Sequence, residues 1–132
     1  LPSFALQKAI STTIRDMGLD YWTGTVYTTN RRVWEHDDKF KEYLRIVRAM
    51  AIDMETATIF TVGFHNEIPT GAILLVSDQP MIPEGVKTEL SDTKVSSDFV
   101  DQHLKIGILS LQQIQYEKQT VKHLKFYNRW TN

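Results

Sequence analysis

Cysteine is absent from all 132 residues, which removes disulfides and thiolate metal ligation from the options. The four histidines (His36, His65, His103 and His123) show no metal-ligand spacing, so the expectation is no metal and no cofactor. No apolar run approaches the roughly 20 residues of a membrane span, and no secretory signal pattern opens the chain. An excess of one charge is missing too: 15 basic and 16 acidic residues leave a formal charge of -1. There is therefore no global field to attract nucleic acid or an anionic membrane, and neither is an expected partner. Any charge that grips a ligand must be local. A cysteine-free composition suits a reducing compartment, so a cytoplasmic location is expected.

At this length and 42% hydrophobic content the chain suits one domain, 1–132, able to bury roughly two-thirds of its unfolded surface. It begins at Leu1 without an initiating Met, and Pro2-Ser3 leads straight into a helical pattern, so a piece of a longer protein is expected. Leu6, Ile10, Ile14 and Met17 recur at helical spacing. With Ser3 as N-cap and Gly18 as the residue past the end, they predict a covering helix over residues 4–17. Tyr21, Trp22, Thr23, Thr25, Val26, Tyr27, Thr28 and Thr29 are β-branched or aromatic, the composition of a strand. Gly24 within it implies a bulge or a close backbone approach. Thr28-Thr29-Asn30 ends that strand with hydroxyls and an amide, which either cap a turn or face a ligand.

Phe40, Tyr43, Leu44 and Val47 predict the next helix, with Asp37-Asp38 at its start and Arg45 and Arg48 at its end, matching the helix dipole. Trp34 precedes it and is either core or a stacking surface for a base. A short apolar run over 49–52 then delivers Asp53 and Glu55 onto the first turn of a largely apolar, buried helix over 54–64. Residues 71–76 (Gly-Ala-Ile-Leu-Leu-Val) read as a strand covered on both faces, ending in Ser77 and Asp78. A long irregular connection over 79–92 resembles the flank of a site. A last helix runs from Ser96 or Ser97 to about Tyr116, followed by a basic, aromatic-rich tail over 118–132. That tail reads better as packing on a neighbouring chain or domain than as a single-stranded nucleic-acid binder. Strand–helix alternation gives an α/β class with about three strands and four helices.

Spacing alone leaves Asp53 and Glu55 open between two roles. Asp53 stands where an N-cap belongs and Glu55 faces the positive end of a helix dipole, which needs no ligand. Equally, ligands in open α/β sheets gather where strands end and helices begin.

Asp53-Met54-Glu55-Thr56-Ala57, followed by an apolar strand closing in Ser77-Asp78, resembles the nucleoside phosphorylase and nucleosidase superfamily. Thr23 to Thr29, Trp34-Glu35, Val76 to Pro80 and Gln102 to Ile108 resemble, more narrowly, the AMP nucleosidases. The resemblance runs in order from about Tyr21 to about Leu111. It implies a mixed central sheet flanked by helices, phosphorylase/hydrolase-like, with only the C-terminal portion present. Nothing before Tyr21 matches the family's glycine-containing phosphate loop, so the missing N-terminal half of the catalytic domain is an expected partner, alongside a homo-oligomer.

The resemblance also implies roles. Asp78 is the catalytic acid that assists protonation of the purine N7, positioned by Ser77. Glu55 accepts hydrogen bonds from the ribose hydroxyls, Met54 packs on the sugar, and Asp53, a further ribose candidate, stands where many relatives carry Glu, its shorter side chain either reaching the ligand differently or serving only as a cap. Thr29, Trp34 and Ser77 are candidates for the base, and Arg31 and Arg32 for the phosphate. The implied reaction is hydrolysis of the N-glycosidic bond of AMP to adenine and ribose 5-phosphate. The adenine anion leaves poorly without a proton, and nearby negative charge stabilises the oxocarbenium-like sugar. General acid assistance contributes typically ~10²–10⁴-fold. Two other readings compete: a superfamily enzyme acting on unphosphorylated nucleosides, and a non-catalytic α/β assembly module.

Overall fold

The computed structural model describes residues 1–82, 85 and 89–116. Among these, two short strands pair in parallel and helices flank them, an α/β arrangement with a parallel sheet.

Helix α1 (Phe4–Asp16) forms where the apolar spacing predicts it. Ser3 occupies the N-cap with extended backbone, but its hydroxyl makes no capping bond; its N–H donates to Thr70 O at 2.6 Å instead. The C-terminal end follows the Schellman pattern. Gly18 has φ +70°, its N–H donates to Arg15 O at 2.9 Å, and Leu19 N–H reaches Ile14 O at 3.1 Å. Ala9, Thr13 and Ile14 are buried, and α1 packs on α4 (Glu89–Tyr116), whose Ile106 and Ser110 are buried in turn. The Thr13 hydroxyl donates to Gln113 Oε1 at 3.1 Å across that contact.

Strand β1 (Thr25–Thr28) occupies only the second half of the predicted β-branched run. It pairs with β2 (Ala49–Asp53), with Thr28 opposite Asp53. The pairing slips between Thr25 and Val26, so Met50 is the extra residue of a bulge. Gly24 lies close beside that bulge: a Cβ would lie 2.8 Å from Met50 Cγ, so the Met50 side chain would have to move aside for any larger residue.

Helix α2 (Asp38–Ile46) connects the two strands. Asp37 caps it, accepting from Phe40 N–H at 3.0 Å. Trp34, Phe40 and Leu44 form a buried cluster against Tyr27, Ala49 and Ile52, which seats α2 on the sheet. Rings of Trp34 and Phe40 meet edge to face at 5.8 Å, a favoured aromatic geometry. The chain leaves α2 through Arg48 at φ +53° and enters β2 directly.

Helix α3 (Thr56–His65) begins two residues later than predicted. It packs against β1, but the expectation of a buried helix does not hold among the described residues: Ile59, Val62 and Phe64 are exposed. The expected third strand is likewise not formed. Residues 71–76 carry no ladder bonds, and Leu74, Leu75 and Val76 are exposed. Apolar composition supplies the tendency to extend, but a strand also needs an edge beside it, and the described residues present none there. What holds this segment is α1: Ala72 N–H donates to Gln7 Oε1 at 3.0 Å, and Gly71 lies close against Leu6.

Helix α4 starts at Glu89, seven residues ahead of Ser96. Pro83 and Gly85, the breakers of that stretch, lie upstream of Glu89 and so do not oppose the extension. The expected irregular connection is correspondingly shorter and lies partly outside the described residues, and the basic tail over 118–132 lies wholly outside them. No helix among the described residues is long and apolar enough to cross a membrane.

Candidate active site

Parallel pairing puts the C-terminal ends of β1 and β2 at one edge, where the chain turns into α3. An open cavity of about 580 Å³ lies at that edge, within the range of small-molecule sites. Its floor is the end of β1, Tyr27 to Arg31; Phe40 and Tyr43 of α2 form one wall, and Met54 and Thr58 the other. Edge-to-face contacts of Tyr27 with Phe40 (5.6 Å) and Tyr43 (5.7 Å) brace the aromatic side.

Of the residues expected from sequence, the structure brings Thr29, Arg31 and Met54 together around this cavity. Thr29 is buried, and its hydroxyl accepts from Arg31 N–H at 3.0 Å, shaping the turn after β1. The Arg31 guanidinium lies 4.9 Å from the Phe40 ring centroid and pairs with Asp37 at 2.8 Å. The Phe40 N–H, with Arg31 adding to it, holds the Asp37 carboxyl below the usual aspartate value. Arg31 is the one charged residue of the lining among the described residues. Arg32 is exposed and does not line it.

Asp53 is committed to the protein around it. Its Oδ1 accepts from the Thr28 hydroxyl at 2.6 Å, and its Oδ2 accepts from Thr56 N–H at 2.6 Å and from the Thr56 hydroxyl. Glu55 N–H adds a longer bond at 3.4 Å. Burial pushes the Asp53 carboxyl up, but the bonds from Thr28, Thr56 and Glu55 outweigh it and leave it below the ordinary value. Asp53 thus ties down the first turn of α3 through Thr56, but it is not the N-cap that its spacing suggested: the helix starts at Thr56 and Glu55 holds that position without a side-chain capping bond. Met54 and Glu55 form the exposed turn between Asp53 and the helix, and Glu55 Oε2 accepts only from Met54 N–H, at 3.2 Å, among the bonds described there.

Trp34 belongs to the core and not to the cavity wall. The residue is 8% exposed and packs with Phe40 and Leu44. Ser77 and Asp78 are half-buried at the end of the extended 71–76 segment, outside the cavity lining. The Ser77 hydroxyl donates to Asp78 Oδ1 at 2.6 Å. Tyr27, Phe40, Tyr43 and Thr58 line the cavity without having been expected from sequence. Their spacing marks them as strand or helix-stripe residues, and nothing in periodicity separates a core face from a cavity wall. No three His, Asp or Glu side chains among the described residues converge as a metal cage.

Comparison with known proteins adds to this geometry. AMP nucleosidase of Escherichia coli (strain K12) is 36% identical over 96 residues, covering 72% of this chain and 20% of that protein. The same figures hold for AMP nucleosidase of Escherichia coli O157:H7. The crystal structure of AMP nucleosidase from Bacteroides thetaiotaomicron VPI-5482 superposes with a TM-score of 0.73 at 59% identity, covering 89% of this chain and 46% of that one. The chain thus spans about a fifth of the length of the curated relatives and under half of the solved one. The family model for the phosphorylase superfamily matches residues 1–113, and the chain belongs to that superfamily.

Proposed function

We propose that this chain is the C-terminal half of a nucleosidase catalytic domain that hydrolyses AMP to adenine and ribose 5-phosphate. The observation that carries the reading is the cavity at the C-terminal edge of the parallel strands, with Met54 in its wall and Glu55 beside it. That position is where α/β sheets hold ligands, and the relatives named above are AMP nucleosidases.

In this reading Met54 packs on the ribose and Glu55 accepts from its 2′- and 3′-hydroxyls, while Asp53 fixes the turn that carries both. Thr29 and Ser77 meet the base, and the buried placement of Trp34 favours a core role for it over stacking on the base. Arg31, stacked on Phe40 and facing the cavity, is preferred over Arg32 for the phosphate. Asp78 protonates the departing purine. Were residues 71–76 to join the sheet as a further parallel strand, their end would fall on the same edge as Thr28 and Asp53. Their exposed apolar side chains favour such an addition. The water-activating group and the remaining strands come from the other half of the domain, the enzyme is a homo-oligomer, and the reaction is cytoplasmic.

The test is adenine release by the full-length protein from AMP and from adenosine, with and without inorganic phosphate. Release from AMP alone supports the proposal. Phosphate-dependent release from adenosine selects a nucleoside phosphorylase, and no release from any of them selects an assembly module.

A further inference from the structure

We propose that Thr28 is a positioning residue for the turn that presents Glu55, acting as a hydroxyl latch between the end of β1 and the first turn of α3. The inference rests on the ribose-contact reading of Glu55 given above. Thr28 and Ala57 are 29 positions apart, yet Ala57 N–H donates to Thr28 Oγ1 at 3.0 Å. A backbone N–H can only donate, so the hydroxyl oxygen is the acceptor there and its proton points elsewhere. It goes to Asp53 Oδ1 at 2.6 Å. The other Asp53 oxygen takes Thr56 N–H and the Thr56 hydroxyl.

Met54 and Glu55 are therefore suspended between two anchored points. Asp53 is fastened to β1 through Thr28, and Thr56-Ala57 are fastened to Asp53 and Thr28. Both residues of the turn are exposed, so packing does little to hold them, and the Glu55 carboxylate is bonded locally to Met54 N–H. Where the Glu55 carboxylate sits is thus decided by the latch beneath it. Valine matches threonine in shape but neither donates nor accepts, so Thr28→Val would open the latch without leaving a hole.

The experiment measures kcat/KM for adenine release from AMP in the full-length protein carrying Thr28→Val, Thr28→Ser, Glu55→Gln, or Thr28→Val with Glu55→Gln, each checked by thermal melting. Thr28→Val is expected to lower kcat/KM on the order of 10²-fold, the usual cost of displacing a positioned group by about 1 Å. Thr28→Ser, which keeps the hydroxyl, is expected to restore most of it. In the Glu55→Gln background Thr28→Val should cost nothing further, since both act through one group. Thr28→Val leaving kcat/KM within about twofold of wild type while Glu55→Gln lowers it would overturn the latch and spare the ribose reading. A full additional loss on top of Glu55→Gln would also overturn it, because Thr28 would then act by some other route. An unaltered kcat/KM in Glu55→Gln would overturn the ribose reading and the latch with it. Should Thr28→Val not fold, Thr28→Ala removes the same hydroxyl with less bulk and carries the same expectations.

Discussion

Asp53→Ala strips a carboxylate that serves four donors at once, and its cost follows from them. Loss of the bond to Thr56 N–H takes away about 0.5–2 kcal/mol. The Thr56 hydroxyl, on a buried residue, is left without its acceptor, at about 1–3 kcal/mol. The Thr28 hydroxyl is only part-buried and recovers water, so it adds less. The sum is about 1.5–5 kcal/mol, and Asp53→Asn, which keeps one acceptor oxygen but loses the charge, should cost about half as much. Urea unfolding of the full-length protein checks this through a lower midpoint at constant slope. The cost should also depend on pH with a definite sign. The folded-state value of Asp53 is depressed, so its contribution is complete above the unfolded aspartate value of about 3.9 and is lost as pH falls through the lower folded value. Wild type and Asp53→Asn should therefore differ most near neutrality and converge in acid. A loss below about 0.5 kcal/mol for Asp53→Ala, or a gap that does not close in acid, would refute the network as drawn.

Other substitutions test separate parts of the chain. Leu44→Ala, at a side chain 2% exposed between α2 and the sheet, should lower unfolding free energy by about 2–5 kcal/mol in urea titration. Gly63→Ala places a methyl 3.0 Å from Ile68 O and closer still to the Thr70 methyl; despite the better helix propensity of alanine it should destabilise by about 1–3 kcal/mol by the same assay. Asp78→Asn should reduce kcat for adenine release by about 10²–10⁴-fold with the melting temperature unchanged, and an unchanged rate would remove Asp78 from the acid role.

Much of the local structure was legible in the chain because its causes are local. The stripe of Leu6, Ile10 and Ile14 with Gly18 beyond it placed α1, and Asp37 ahead of Phe40, Tyr43 and Leu44 placed α2. Gly24 announced the bulge beside Met50. The Asp53 to Ala57 motif pointed to a strand-to-helix turn, although the helix starts two residues later than spacing suggested, with Glu55 and not Asp53 at the N-cap. Less legible were features that depend on what lies next to a segment. Residues 71–76 have a strand's composition, but strand formation needs a partner edge. The apolar side chains of α3 read as buried, yet burial needs something to cover them. Trp34 was open between core and stacking surface until Phe40 and Leu44 closed around it.

The sequence by itself determined the α/β alternation, the extents of α1 and α2 to within a residue or so and the acids at the strand-to-helix turn, since propensity, capping and hydrophobic spacing act over a few residues. Only the tertiary structure decided that Thr28 ties Asp53 to α3, that Tyr27, Tyr43 and Met54 enclose one cavity, and that Asp78 stands outside it. Those outcomes depend on parallel pairing of β1 with β2 across the α2 connection, which brings together side chains that local spacing cannot relate.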